Sequence, residues 1–405
     1  MKILFIVPYV PSLVRVRPYN LIRHLVQQGH EVTLATLYSN EQEKTELKLL
    51  ETQVKQVLAD HLPTWRSLKN VFMAIPSRQP LQSVYCWNPR LNAQINQLLN
   101  DPNVIFDVIH VEHLRGANYG IALQDVAGRR QIPIIWDSVD NISYLFKQSA
   151  VQSKSWFNRW ITRFEVGRTR KYESWLVGQF ARVLVTSPND RQAFLDLRQD
   201  GAGLKRILIL PNGVDLEYFT PDLQVARAPA TLVVSGKMSY HANVTMVLTL
   251  VEKIMPLIWQ SLPEVRLQIV GKDPPPQLQA LMQDSRIVVT GTVTDLRPYL
   301  RQATLAVAPV PYGAGIQNKV LEAMACATPV VTSPQAISAL STTPGVHILV
   351  ANQPRDFADN VVNLLQNADF RSQIGQAGLE YVQRCHNWES IVAQLVGIYQ
   401  RAMQK

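Results

Sequence analysis

The chain is 405 residues long, carries 40 Lys plus Arg against 31 Asp plus Glu for a formal charge of +9, and is 47% hydrophobic. At about 150 residues per domain this predicts two to three domains with real cores, and the apolar content excludes a disordered chain. Three widely separated cysteines (Cys86, Cys326, Cys385) exclude a disulfide framework and a CxxC metal clip, which points to a reducing compartment.

In chain order, residues 2–7 form an apolar strand pattern stopped by Pro8. Residues 19–28 read as a helix with Leu21, Ile22, Leu25 and Val26 on one side, and a second strand starts at Glu31 after Gly29. Strand, helix and strand in so short a stretch predict a right-handed βαβ unit. Strand patterns recur at 104–111, 132–137 and 183–187, with helical stretches at 91–99 and 158–176. No apolar run reaches the roughly 7–15 residues of a signal core or the about 18 of a membrane span. The expected location is therefore the cytoplasm.

The charge is one-sided. Residues 1–206 hold 26 basic and 17 acidic side chains, whereas residues 207–405 hold 14 of each. Part of the excess (Lys147, Lys154, Arg159, Arg163, Arg168, Arg170, Lys171) is interleaved with Trp156, Phe157, Trp160, Ile161 and Phe164. Trp156, Trp160 and Phe164 share one helix side. That fits either a peripheral contact with anionic lipid at the inner face of the plasma membrane or a core helix with solvated arginines. No nucleic-acid-binding module is recognisable.

After a turn-rich passage at 211–229 the rhythm restarts, with strands at 231–235, 265–270, 287–290, 305–309 and 329–332. Helices at 244–260, 296–302, 319–326, 357–367 and 390–403 alternate with them. The expected fold class is α/β, two facing Rossmann-like doubly wound domains with a central cleft. The expected domains are 1–208 and 209–385, with a terminal helix in 386–405 packing back on the first and hinges near 206–214 and 385–390.

The chemistry should lie at the strand ends. Residues 310–325 run strand, glycine loop, helix. Gly313 and Gly315 let the backbone approach a bulky anion, Lys319 in the first helical turn can pair with a phosphate, and Glu322 can accept hydrogen bonds from ribose hydroxyls. Together these suggest a nucleotide diphosphate. The alternative is a turn with Lys319 and Glu322 as a surface pair. Gly236 with Lys237, Gly271 and Gly291 also follow strands, where a base or sugar can lie against the main chain. No DxD pair and no GxxxxGK[ST] occurs, so neither a metal-bridged diphosphate nor a P-loop is expected. In the first half, His110, Glu112 and His113 follow one strand, and Asp137 and Asp140 follow another as expected caps of the next helix.

Residues 210–221 (LPNGVDLEYFTP), 235–238 (SGKM), 267–271 (LQIVG), 289–293 (VTGTV) and 319–325 (KVLEAMA), continued by 329–331 (PVV), stand in one order. They resemble the retaining nucleotide-sugar glycosyltransferases of family 4, which have the GT-B fold. Residues 29–32 (GHEV), 106–110 (FDVIH) and 187–191 (SPNDR) extend the resemblance more loosely to the first half. The resemblance implies that Lys319 and Lys237 hold the donor diphosphate, with main-chain donors from Gly313, Ala314, Gly315 and Ile316. Glu322 would bind the ribose, Val293 would contact the base through its main chain, and His110, or second His113, would meet the transferred sugar. Transfer would need neither metal nor cofactor. A UDP- or GDP-linked sugar would be the donor, and a glycan or lipid-linked hydroxyl of a cell-surface or extracellular polysaccharide the acceptor.

Three departures stand out. Ala314 replaces a glutamate frequent in the family, residues 241–243 (HAN) replace a lysine, and residues 11–15 (PSLVR) replace a glycine pair. Two rival readings are a nucleotide-sugar epimerase, which would need an acid/base set, and a non-catalytic nucleotide- or glycan-binding module.

Overall fold

The computed structural model describes the chain except residues 13–14, 153–155, 198–204, 223, 312–315 and 405, and gives only the main chain for the rest of 148–163. Two compact units emerge, one of residues 1–212 with 388–405 and one of residues 213–387.

Among the described residues the first unit contains β1 (Lys2–Val7), β2 (Glu31–Tyr38), β3 (Gln56–His61), β4 (Val108–Glu112), β5 (Ile134–Val139), β6 (Arg182–Val185) and β7 (Ile207–Ile209). They lie in the order β3-β2-β1-β4-β5-β6-β7, and every pairing is parallel. A parallel sheet has helices on both faces, so its central strands are apolar throughout rather than alternating. Accordingly, Ile3 to Val7 of β1 are wholly buried. One face carries Leu4, Ile109 and Trp136, and the other carries Ile3, Phe5 and Leu34. The Trp388–Met403 helix closes the second face through Trp388, Ile391, Val392, Leu395 and Tyr399, a 3–4 residue spacing that puts them all on one side.

The second unit contains β8 (Thr231–Ser235), β9 (Arg266–Val270), β10 (Ile287–Gly291), β11 (Leu305–Ala308), β12 (Val330–Thr332) and β13 (Leu349–Val350), ordered β10-β9-β8-β11-β12-β13. The sequence of crossovers is that of the first unit. In each sheet the order reverses once, between β1 and β4 and between β8 and β11. Doubly wound sheets bind ligands beyond the carboxyl ends of their strands at such a reversal.

Several expectations are corrected. The predicted 244–260 helix is not one regular helix. His241–Thr249 passes through a π-helical turn, Leu250–Ile254, into Met255–Ser261. Pro256 supplies no N–H and its ring crowds the preceding turn, so the hydrogen-bond ladder shifts there. His241–Ser261 is also long and apolar enough to cross a membrane by length and composition, contrary to the sequence expectation. Half of that stretch is buried within the unit, and Met246, Val247, Leu250, Met255 and Ile258 are fully enclosed in its core.

Asp137 and Asp140 do not cap the Ile142–Gln152 helix. Asn141 Oδ1 accepts the Tyr144 N–H at 2.8 Å, and the Glu173 carboxylate takes the N–H groups of Ile142 and Ser143. Strand β4 starts at Val108 rather than at residue 104, where the chain is still a loop tied by Lys2 N–H to Asp107 Oδ2 at 2.6 Å.

Candidate functional site

In the second unit the site grows from two strand ends that touch. Gly236 follows β8 with φ 151° and Gly271 follows β9 with φ 155°. A Cβ on Gly271 would fall 1.7 Å from the carbonyl oxygen of Gly236, so only glycine fits. A Cβ on Gly236 would fall 2.8 Å from Asn243 Nδ2 and 3.4 Å from Lys319 Cε. The bare main chain therefore faces an amide and a lysine at the point where the order of strands reverses.

Asn243 links these parts. Its Nδ2 donates to the Lys237 carbonyl at 2.9 Å, and its Oδ1 accepts from Lys319 Nζ at 3.0 Å. Gln317 Oε1 accepts from the same Nζ at 3.1 Å. Both oxygens are neutral. They orient the ammonium without cancelling its charge, which is left for an incoming anion. Lys319 sits in the first turn of the Asn318–Ala325 helix, where free N–H groups and the dipole favour an anion as well.

Burial pulls the Lys319 ammonium down to about 8 against the opposing pull of Glu322. Burial likewise lifts the Glu322 carboxyl to about 7, with Lys319 opposing. An arriving diphosphate would raise the lysine again. Affinity is therefore highest below about pH 7 and falls as Glu322 ionises and as the free lysine loses its proton around pH 8. We expect a nucleoside diphosphate to bind about tenfold more weakly at pH 9 than at pH 7, with proton uptake, and Lys319→Met to flatten that slope. Calorimetry in buffers of different ionisation enthalpy checks both.

The structure brings Gly236, Gly271 and Lys319 together, with Glu322 on the same helix. The Lys237 side chain is exposed, and its carbonyl is what holds Asn243. Val293 and Ile316 are partly buried against the core of the unit, Val293 just beyond the edge strand β10. Gly313, Ala314 and Gly315 lie outside the described residues. Sequence reasoning missed Asn243 and Gln317. The only signal for Asn243 was its place in the segment that stands where the family has a lysine.

In the first unit, the carboxyl ends of β4 and β5 place Glu112 opposite Asp137. Both are buried. Arg17 donates Nε and Nη2 to Asp137 Oδ2 at 2.9 and 2.7 Å, and Nη1 to Asn212 Oδ1 at 2.7 Å. Tyr9 donates to Glu112 Oε1 at 2.9 Å, while the other carboxyl oxygen is buried without a hydrogen-bond partner. Burial, reinforced by Asp137, lifts Glu112 to about 8, so it holds a proton at neutral pH. Tyr9→Phe leaves both Glu112 oxygens unpartnered. It should lower stability by about 1–3 kcal/mol, seen as an earlier denaturant midpoint at unchanged slope.

The two histidines differ in kind. His110 is sealed in the unit: its ring stacks on Phe5 at 4.1 Å, its Nδ1 shares a hydrogen bond with the Tyr399 hydroxyl at 2.8 Å, and its Nε2 lies 3.7 Å from Asp137. His110, the first candidate of the sequence, has no exposed surface. His113, the second candidate, opens the His113–Ala122 helix with φ 66°, a strained conformation for a residue with a side chain. Its Nδ1 accepts the Arg115 N–H at 3.2 Å, so in the neutral ring Nε2 carries the proton. Burial lowers its pKa to about 3 and keeps the ring neutral. A neutral N–H donor suits a sugar hydroxyl.

Residues 14–218 match the family model described as Glycosyltransferase Family 4, and residues 229–367 match that described as Glycosyl transferases group 1. A phosphatidyl-myo-inositol mannosyltransferase of Mycobacterium leprae is 28% identical over 47% of this chain and 52% of its own length. A D-inositol 3-phosphate glycosyltransferase of Geodermatophilus obscurus is 24% identical over 58% of this chain and 55% of its own. The chain thus spans about half the length of the curated relatives it matches. Among solved structures, Anabaena HepE in complex with UDP and glucose superimposes with a TM-score of 0.67 at 14% identity, over 99% of this chain and 100% of that one. At that identity the likeness shows the fold alone, which is GT-B.

Proposed function

Because the chain belongs to the family 4 glycosyltransferases, with a group 1 glycosyl transferase segment in its second unit, we propose that it moves a sugar from a nucleotide-diphosphate sugar to a hydroxyl acceptor with retention. The observation that carries this reading is the ammonium of Lys319, held by two neutral amide oxygens over the glycine-lined ends of β8 and β9. In the reaction the bond from the anomeric carbon to the diphosphate breaks and negative charge grows on the leaving phosphate. Lys319 and the N–H groups of its helix meet that charge, the sugar passes through an oxocarbenium-like state, and the acceptor hydroxyl attacks the face the phosphate leaves, its proton passing to the departing phosphate oxygen. Glu322, kept near neutrality by burial, can exchange hydrogen bonds with the ribose hydroxyls, and Lys237 can reach the diphosphate from its exposed position.

UDP is the nucleotide we favour, since the HepE structure that shares this fold holds it; GDP is the second choice. The acceptor we propose is a glycan or lipid-linked hydroxyl of a cell-surface polysaccharide, met on the cytoplasmic side. The test is incubation with UDP- and GDP-sugars without acceptor. Slow release of free sugar whose first-formed anomer matches the donor supports retaining transfer. Inverted sugar overturns retention, an epimerised nucleotide sugar identifies an epimerase, and binding without any turnover leaves a non-catalytic module.

A further inference from the structure

The Thr64–Ala74 helix is turned inside out. The side chains it buries are small or polar: Ser67 and Ala74 are almost fully enclosed, and Asn70 donates to the Trp87 carbonyl at 2.8 Å. Its large apolar side chains face outward. Trp65, Leu68, Phe72 and Met73, with Ile75 just beyond the helix, are between 50% and 75% exposed. A helix that packs by hydrophobic burial shows the opposite pattern, and a contiguous exposed patch of this kind marks an interaction surface.

The patch is held in place. Arg168 Nη2, from the Trp156–Gln179 helix, donates to the Ala74 carbonyl at 2.6 Å and to that of Ser77, and Glu165 accepts the Leu81 N–H at 2.9 Å. Phe164 of the same helix is itself half exposed.

Charge selects the partner. From residue 61 to residue 100 the chain has no Asp or Glu, yet it carries Arg66, Lys69, Arg78 and Arg90. The Arg66 guanidinium lies 5.3 Å from the Trp65 ring centre. Tryptophan and long basic side chains around an apolar strip match a bilayer interface, with rings at headgroup depth and cations at the phosphates. A second copy of the chain would bring the same positive charge against itself.

We propose that this helix docks the protein on an anionic lipid surface, seating Trp65, Leu68, Phe72 and Met73 among the acyl chains. This goes beyond the transfer reaction and does not depend on it.

Flotation of the full-length protein with vesicles of phosphatidylcholine, with and without phosphatidylglycerol, tests it. The expected result is binding to the anionic vesicles that is at least about tenfold weaker on neutral ones and released by about 0.5 M salt. Leu68→Ser/Phe72→Ser and Lys69→Glu/Arg78→Glu should each weaken it about tenfold or more, with melting temperatures unchanged because these side chains are exposed. Brominated acyl chains should quench the native protein more than Trp65→Phe. Absence of binding, or equal binding by both double variants, overturns the proposal. So does a concentration-dependent dimer lost in the same variants, which would make the face a contact between copies.

Discussion

Lys319→Ala should consume donor about 10²–10³-fold more slowly than the native protein, about 2.7–4 kcal/mol of lost stabilisation of the leaving phosphate. The size follows from the setting. The ammonium is largely removed from water and held by Asn243 and Gln317, so its field on a developing phosphate charge is little screened. The substitution removes a charged group from a partly buried site and creates no buried unpaired charge except at Glu322, which burial already keeps close to neutral. Melting temperature should therefore hardly change. A loss of rate with an intact fold assigns Lys319 to the chemistry. A loss of rate together with unfolding would assign it to structure. Asn243→Ala, which leaves the ammonium charged and held by Gln317 alone, should give a smaller loss in the same direction.

Arg17→Ala should destabilise the first unit by about 3–5 kcal/mol, the cost of breaking a buried ion pair from one side. Asp137 has no exposed surface and takes both Arg17 contacts on one oxygen, and Arg17 also ties Asn212 and the Pro211 carbonyl. Burial raises the pKa of Asp137 while Arg17 lowers it, so removing the guanidinium raises it further. A carboxyl raised above its unfolded value contributes stability at low pH that is lost as pH rises through its folded pKa. The gap between variant and native protein should thus be wider at pH 8 than at pH 5, measured by urea denaturation. An equal gap at both values would mean that Arg17 acts through packing alone.

Much of this was legible in the sequence, and the reason is local. A parallel strand buried on both faces has an apolar run at its centre, as in residues 3–7 or 232–234, and in the second unit the glycines that follow β8 and β9 mark where the main chain must be bare. Gly236, Gly271 and Lys319 could be found from these signals. Edge and short strands could not: β3 is only partly buried and keeps Gln56, Asp60 and His61, so it lacks that run. The histidines show a different limit. Strand position told that His110 and His113 stand near the end of β4, but not that His110 turns inward onto Phe5 and Tyr399. Residues 156, 160 and 164 fit either a lipid-facing helix or a core helix; the side chains of Trp156 and Trp160 lie outside the described residues, and Phe164 is half exposed. Among the described side chains an exposed apolar face stands on Thr64–Ala74. Its periodicity is that of any amphipathic helix, and only the fold shows which side faces out.

The most direct measurement is a calorimetric titration of the native protein and Lys319→Ala with UDP, GDP and ADP in the absence of divalent metal. Micromolar binding of one nucleotide, weakened at least about tenfold by the substitution, is the expected result. Binding that Lys319→Ala leaves unchanged, or no binding of any of the three, would contradict a donor site at the ends of β8 and β9.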